Sequence, residues 1–189
     1  MKKQRFLIDC DGVLADFCVA CFDLIERHTG DRHTMAEVHH WDVFEALGKG
    51  HLKHLLTEEI VKGGWCLGFP VCPGALAGVK ALQEIGDVVI VTAPMSTPCW
   101  AYERTVWLEQ HFGIQKDEII HTSGKKYVSG DVFIDDSDDN CSKWHAEHPR
   151  ATTILWDAPY NVNAPIAGTG IRRAKNWADV IALVNHTKR

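Results

Sequence analysis

Four short apolar runs constrain this chain's fold more than anything else in it: residues 6–8, 88–91, 132–134 and 152–155. They are rich in β-branched and aromatic residues and do not alternate with polar ones. A strand that is apolar on both sides must be covered on both faces, as parallel strands are. Parallel neighbours in turn need long crossovers, usually helical. Ile119 and Ile120 suggest a weaker fifth strand. The intervals between the runs supply the helices. Leu14, Phe17, Cys18, Cys21, Leu24, Ile25 and His28 recur at steps of three and four, and Gly30 offers a stop. Pro73 marks a second start, with Leu76, Val79 and Leu82 on one face and Gly86 beyond. Residues 98–113 carry Ala101, Thr105, Leu108 and Phe112 at helical spacing, and 137–148 form a segment that ends before Pro149. Asn176 is placed to cap a last helix through Val180, Ile181 and Val184. The alternation predicts an α/β fold, a Rossmann-like parallel sheet flanked by helices.

The stretch from about 29 to 72 breaks the rhythm. It has no strand-like run, and His, Trp and Gly accumulate in it. We read residues 17–72 as a small helical cap inserted after the first strand, with 1–16 and 73–189 forming the α/β core. Such an insertion lies over the C-terminal sheet edge, where open α/β sheets bind ligands. With 20 basic and 25 acidic residues among 189, the formal charge is −5, which argues against a nucleic-acid polymer as partner. No apolar run approaches the ~20 residues of a membrane span. The basic start is followed by an apolar run too short for a secretory signal. Seven scattered cysteines suit a reducing compartment, and the expected location is the cytoplasm.

Two of the strands end in paired carboxylates, Asp9-Cys10-Asp11-Gly12 and Asp135-Asp136. In a parallel sheet these ends share an edge. Carboxylates crowded there repel one another and resist ionisation. A hard divalent cation relieves that conflict, and Mg²⁺ is typically held by one or two carboxylates together with substrate phosphate. An aspartate beside such a cation can attack phosphorus, and one two residues further on can act as acid and base. Gly12 permits the tight turn between them. Thr92, at the end of another strand, and Lys125 are placed to hold a phosphate.

These residues, in this order and at these strand ends, resemble the four motifs of the haloacid dehalogenase superfamily of phosphotransferases. The run from Asp9 to Phe17, the Val91-Thr92-Ala93-Pro94 segment and the stretch from Lys125 to Asp136 resemble the 5′(3′)-deoxyribonucleotidase family. The resemblance implies a Mg²⁺-dependent phosphomonoesterase acting on nucleoside monophosphates through an aspartyl-phosphate. It casts Asp9 as nucleophile and metal ligand, and Asp11 as acid/base with its carbonyl on the metal. Asp136 is implied as a further ligand, with Asp135 beside it in the metal set, orienting waters or Lys125. Thr92 and Lys125 are implied phosphate contacts, and Phe17 and Trp41 lie where the family packs aromatics near the base. Ala93 stands where the family has Ser, and Arg104 where it has Lys, both in substrate-contacting positions. A homodimer is compatible with the family.

Blander alternatives stand beside this reading. Cys18-x-x-Cys21 lies on an apolar helix face and suits core packing better than zinc. His28, His33, His39 and His40 match no zinc spacing with Cys66 and Cys72. Lys126 is a neighbour with a weaker claim to the Lys125 role. The cap aromatics Trp41, Phe44, Trp65 and Phe69 serve equally well as a small core. The rival functions are a phosphatase of another small metabolite, a non-catalytic binder on the same fold, and a zinc-dependent regulator.

Overall fold

A computed structural model describes residues 3–186. Its elements run β1 (Gln4–Ile8), α1 (Phe17–Thr29), α2 (Val43–Ala46), α3 (Lys53–Lys62), α4 (Ala75–Ile85), β2 (Gly86–Thr92), α5 (Trp100–Phe112), β3 (Ile119–His121), β4 (Val132–Asp135), α6 (Asp138–Glu147), β5 (Thr152–Trp156), β6 (Arg172–Ala174) and α7 (Trp177–His186). The six strands form one sheet in the order β3-β2-β1-β4-β5-β6, and every pairing is parallel.

The order reverses at β1, which pairs with β2 on one side and β4 on the other. Crossovers of one hand therefore place α4 and α5 on one face and α6 on the other. Packing follows the two-residue period of the strands. Phe6, Ile8, Ile90, Ile134 and Ile154 join Val79, Leu82, Trp107 and Val180 in one buried cluster. Leu7, Val91, Phe133 and Leu155 join Cys141 and Trp144 of α6 in the other. The Trp144 and Phe133 rings stack with centroids 5.0 Å apart. Gly78 matters to the first layer: a Cβ there would sit 2.2 Å from Trp177, so α7 can lie against α4 only because no side chain intervenes.

Between β1 and α4, which leads into β2, the chain makes its long excursion. Residues 9–74 contain α1, α2, α3 and short 3₁₀ turns, without a strand. Asp16 caps α1 by accepting from the Val19 N–H at 3.0 Å, and Gly30 closes it in the left-handed conformation. The outgoing and returning legs run side by side, with Asp16 N–H on Pro70 O at 2.8 Å and Cys72 N–H on Leu14 O at 2.7 Å. Val38, Phe44, Ile60 and Phe69 of the excursion share the buried cluster of the first sheet face.

Three expectations are corrected. Leu76 is not on the buried face of α4: it is 52% exposed, and Ala75, Gly78, Val79 and Leu82 face inward. In α5 the buried stripe is Trp100, Glu103, Arg104, Trp107 and Leu108, so of the four expected positions only Leu108 is buried; polar Glu103 and Arg104 take the inner face because they have partners there. The sixth strand, Arg172–Ala174, was not anticipated. It is an edge strand paired only to β5, so it has no need of a run that is apolar on both sides.

Candidate active site

Asp9 follows β1 directly, and Asp135 and Asp136 end and follow β4. The Asp9 N–H donates to Ile134 O at 2.9 Å, which extends the β1–β4 ladder by one step and locks the two acidic ends together. This is the topological switch point of the sheet, where neighbouring crossovers part and leave a crevice. Acidic ligand atoms of Asp9, Asp135 and Asp136 all lie within 4.8 Å of one another, the one such His/Cys/Asp/Glu group among the described residues.

Three buried carboxylates need compensation, and Lys125 supplies part of it. Its ammonium, 3% exposed, sits 2.8 Å from Asp9 Oδ1 and 2.7 Å from Asp135 Oδ2. Burial works against the charged ammonium, but the two aspartates outweigh it and hold the lysine pKa well above its usual range. Burial pushes Asp9 upward against the pull of Lys125. Asp135 rises to about 6, through burial and then the charge of Asp9. Asp136 is pushed well up by burial and by its acidic neighbours. One cation for three acids leaves an excess of negative charge in a dry place.

The oxygens show which acids have capacity to spare. Asp135 accepts from Lys125, from the Ser137 N–H at 2.8 Å and from Asn140 at 3.2 Å, so both of its oxygens are engaged. It anchors Lys125, as expected of the acid beside Asp136, and its carboxylate stays within the acidic group that could hold a metal. Asp136 differs: Oδ2 accepts from the Tyr160 hydroxyl, while Oδ1 is buried with no partner. A buried carboxylate oxygen without a donor is costly. An all-oxygen set with an orphaned oxygen and surplus negative charge fits a small hard dication.

Asp11 leaves this cluster and forms an ion pair with Arg104, whose side chain is fully buried. Arg104 also donates to Cys66 O at 3.4 Å and lies over the rings of Phe69, Trp100 and Trp107, 4.5–5.6 Å from their centroids. It is absent from the cavity wall. The expected substrate contact is thus a second layer behind Asp11, because α5 turns that position inward. Its neighbour Glu103 accepts from the Gly64 and Cys66 N–H groups, so both residues tie α5 to the returning leg of the excursion.

The cavity above the acids has a volume of about 210 Å³. Asp9, Asp11, Thr92, Lys125 and Asp136 are its polar lining, with Ala93 beside Thr92, and Phe17, Val43, Met95, Trp100, Trp41 and Tyr160 supply most of its apolar and aromatic lining. Phe17 is fixed edge-on to Trp65 and Phe69, at 6.1 and 5.9 Å. Trp41 is 58% exposed at the mouth. Tyr160 was missed by the sequence reading, since it lies in a loop after β5 and no motif surrounds it. Cys18 and Cys21 are buried, and burial lifts the Cys18 thiol to about 12, as suits an inert packing group.

Known structures and sequences agree on the class. A haloacid dehalogenase-like hydrolase from Streptococcus pneumoniae superposes with a TM-score of 0.63 at 11% identity, covering 96% of this chain and 98% of that one. A haloacid dehalogenase-type hydrolase from Bacillus subtilis, whose structure holds magnesium, gives 0.60 at 15% identity over 98% and 100% of the two chains. The fold is that of the haloacid dehalogenase-like hydrolases.

Sequence narrows the class further. The human cytosolic-type 5′(3′)-deoxyribonucleotidase is 31% identical over 198 residues, spanning 100% of this chain and 96% of the relative. The human mitochondrial form is 28% identical over 196 residues, spanning 100% and 85%. Residues 3–189 match the family described as 5′ nucleotidase, deoxy (pyrimidine), cytosolic type C protein (NT5C), and the chain belongs to that family.

Proposed function

We propose that the chain hydrolyses nucleoside monophosphates, deoxyribonucleotides in preference, as a magnesium-dependent phosphomonoesterase with a phosphorylated Asp9 intermediate. The observation that carries this reading is the pairing of a buried, cation-deficient acid cluster with an aromatic-walled cavity directly above it. A phosphate belongs at the first and a flat base at the second.

Asp9, Asp136 and the main-chain carbonyl of Asp11 would hold the metal, which when bound neutralises charge on the phosphoryl oxygens. Lys125 and Thr92 orient those oxygens. The Cys10 N–H, at 2.7 Å, and Lys125 both engage Asp9 Oδ1, leaving Oδ2 to attack. As Oδ2 bonds to phosphorus, the phosphorus–oxygen bond to the nucleoside breaks, and the departing oxygen takes the proton that Asp11 carries into this step on its own Oδ2, the oxygen Arg104 does not engage. Arg104 steadies Asp11 through Oδ1 meanwhile. Asp11 then takes a proton from water as the water oxygen attacks phosphorus, and phosphate leaves Asp9 as its carboxylate is restored.

Residues 17–72 act as the cap in this reading, bringing Phe17 and Trp41 to the base. Among the described residues no helix is long and apolar enough to cross a membrane. All seven cysteines are free thiols, which supports a reducing, cytoplasmic setting, and a homodimer remains the family expectation.

The test is phosphate release, with and without Mg²⁺, from deoxy- and ribonucleoside monophosphates and sugar phosphates. A deoxyribonucleotide should lead by tenfold or more in kcat/KM, about 1.4 kcal/mol of discrimination. A leading sugar phosphate would keep the chemistry and overturn the substrate. Metal-independent release, or none, would overturn the reading itself.

A further inference from the structure

We propose that Tyr160 is a positioning residue that joins the mouth of the cavity to the metal-binding carboxylate, its hydroxyl aiming Asp136 and its ring seating Trp41. The inference rests on the magnesium-dependent reading above and adds to it a residue outside the superfamily motifs.

Two observations converge on Tyr160. Its hydroxyl donates to Asp136 Oδ2, which leaves Oδ1, the buried oxygen without a partner, as the one to meet a cation. Its ring meets the exposed Trp41 edge-to-face, centroids 5.3 Å apart and planes at 84°. Trp41 belongs to the excursion between β1 and β2, whereas Tyr160 follows β5, so this contact crosses from one to the other.

A positioning residue must itself be held, and Tyr160 is. The next residue, Asn161, donates to Asp136 O at 2.8 Å and to Trp156 O at 2.7 Å. Its own oxygens accept from Arg173 of β6 at 2.8 and 2.9 Å, and Arg173 also grips Asp157 at 2.6 Å. The loop therefore binds both the main chain and the side chain of Asp136. Such support shells commonly set metal affinity by factors of ten to a hundred. Trp41 is more than half exposed and its ring meets that of Tyr160, so displacement of the Tyr160 ring removes a seat.

The experiment separates hydroxyl from ring. Calorimetric titration of the metal-stripped full chain with Mg²⁺ alone should show Tyr160→Phe weakening Mg²⁺ about tenfold. At saturating Mg²⁺ its KM for a nucleoside monophosphate should stay within twofold of the parent. Trp41→Ala should do the reverse, raising KM with Mg²⁺ affinity unchanged. Tyr160→Leu should show both defects, and adding Trp41→Ala to it should raise KM little further. A measurement needing no change at Tyr160 guards against misfolding: the Mg²⁺-induced change in tryptophan fluorescence should largely vanish in Trp41→Phe. The inference is overturned if Tyr160→Phe binds Mg²⁺ within twofold of the parent, if Trp41→Ala weakens Mg²⁺ equally, or if the fluorescence change survives in Trp41→Phe. A parent chain that binds no Mg²⁺ would overturn it together with the reading on which it rests, a result distinct from these.

Discussion

Substituting Gly12 by Ala tests whether the turn after β1 exists to admit the Asp136 carboxylate. Gly12 has φ of 81°. An alanine Cβ would stand 2.0 Å from Asp136 Oδ2, 2.8 Å from its Cγ and 3.0 Å from the Tyr160 hydroxyl. Ordinary contact begins near 3.4 Å, so Oδ2 must retreat by about 1.4 Å. Two separable costs follow. Left-handed backbone at a non-glycine residue costs about 1–2 kcal/mol, which in a chain of this size lowers Tm by roughly 2–8 °C. A shift of this size at a metal ligand should weaken Mg²⁺ by ~100-fold, since displacements near 1 Å already cost that much. Calorimetry with Mg²⁺, thermal unfolding in EDTA, and the Mg²⁺ dependence of phosphate release would read both. If Tm falls as expected while the Mg²⁺ half-saturation stays within threefold of the parent, the carboxylate beside Gly12 does not hold the metal.

Other expectations follow from the same geometry. Asp9→Asn should abolish turnover while the fold persists, because the amide keeps the shape but cannot attack phosphorus; steady phosphate release by a purified variant would rule out the covalent route. Arg104→Met should destabilise the chain by about 1–3 kcal/mol through loss of its charged hydrogen bonds, read as a lower urea midpoint; an unchanged midpoint would mean that the ion pair with Asp11 is energetically idle. The metal-free protein should gain stability as pH falls from 7.5 to 5.5. Asp9, Asp135 and Asp136 have raised pKa values, Asp135 near 6, so the native state binds protons before the unfolded one does. His121, lowered by burial, opposes them as one group against three, and Lys125, raised, contributes equally at both pH values. Saturating Mg²⁺ should reverse the slope, since the cation needs ionised carboxylates. Urea unfolding in EDTA that weakens toward pH 5.5 would contradict the crowding of acids described here.

Much was legible in the chain itself. Apolar runs without alternation specify strands covered on both faces, and helical spacing between them specifies crossovers. Those two local facts imply a parallel sheet before any contact is known. They also place Asp9 and Asp135-Asp136 at strand ends on one edge, because parallel strands all finish on the same side. Thr92 and Lys125 followed from the same logic. What escaped depends on which elements become neighbours. β6 is polar because an edge strand has one partner, so it left no apolar signature. Arg104 lies on a helix whose rotation about its axis is set by Glu103 and Arg104 finding carbonyls, N–H groups and a carboxylate inward, not by apolar spacing. Asp135 and Asp136 are adjacent and identical in kind. Only the surrounding donors, Lys125, Ser137 and Asn140 on one side and Tyr160 on the other, make one an anchor and leave the other an open oxygen. Tyr160 itself lies 24 residues from Asp136 and meets Trp41 from 119 residues away in the chain. Local sequence determines the elements and their chemistry; the free capacity of each polar atom is a property of its neighbours, which the tertiary structure alone assembles.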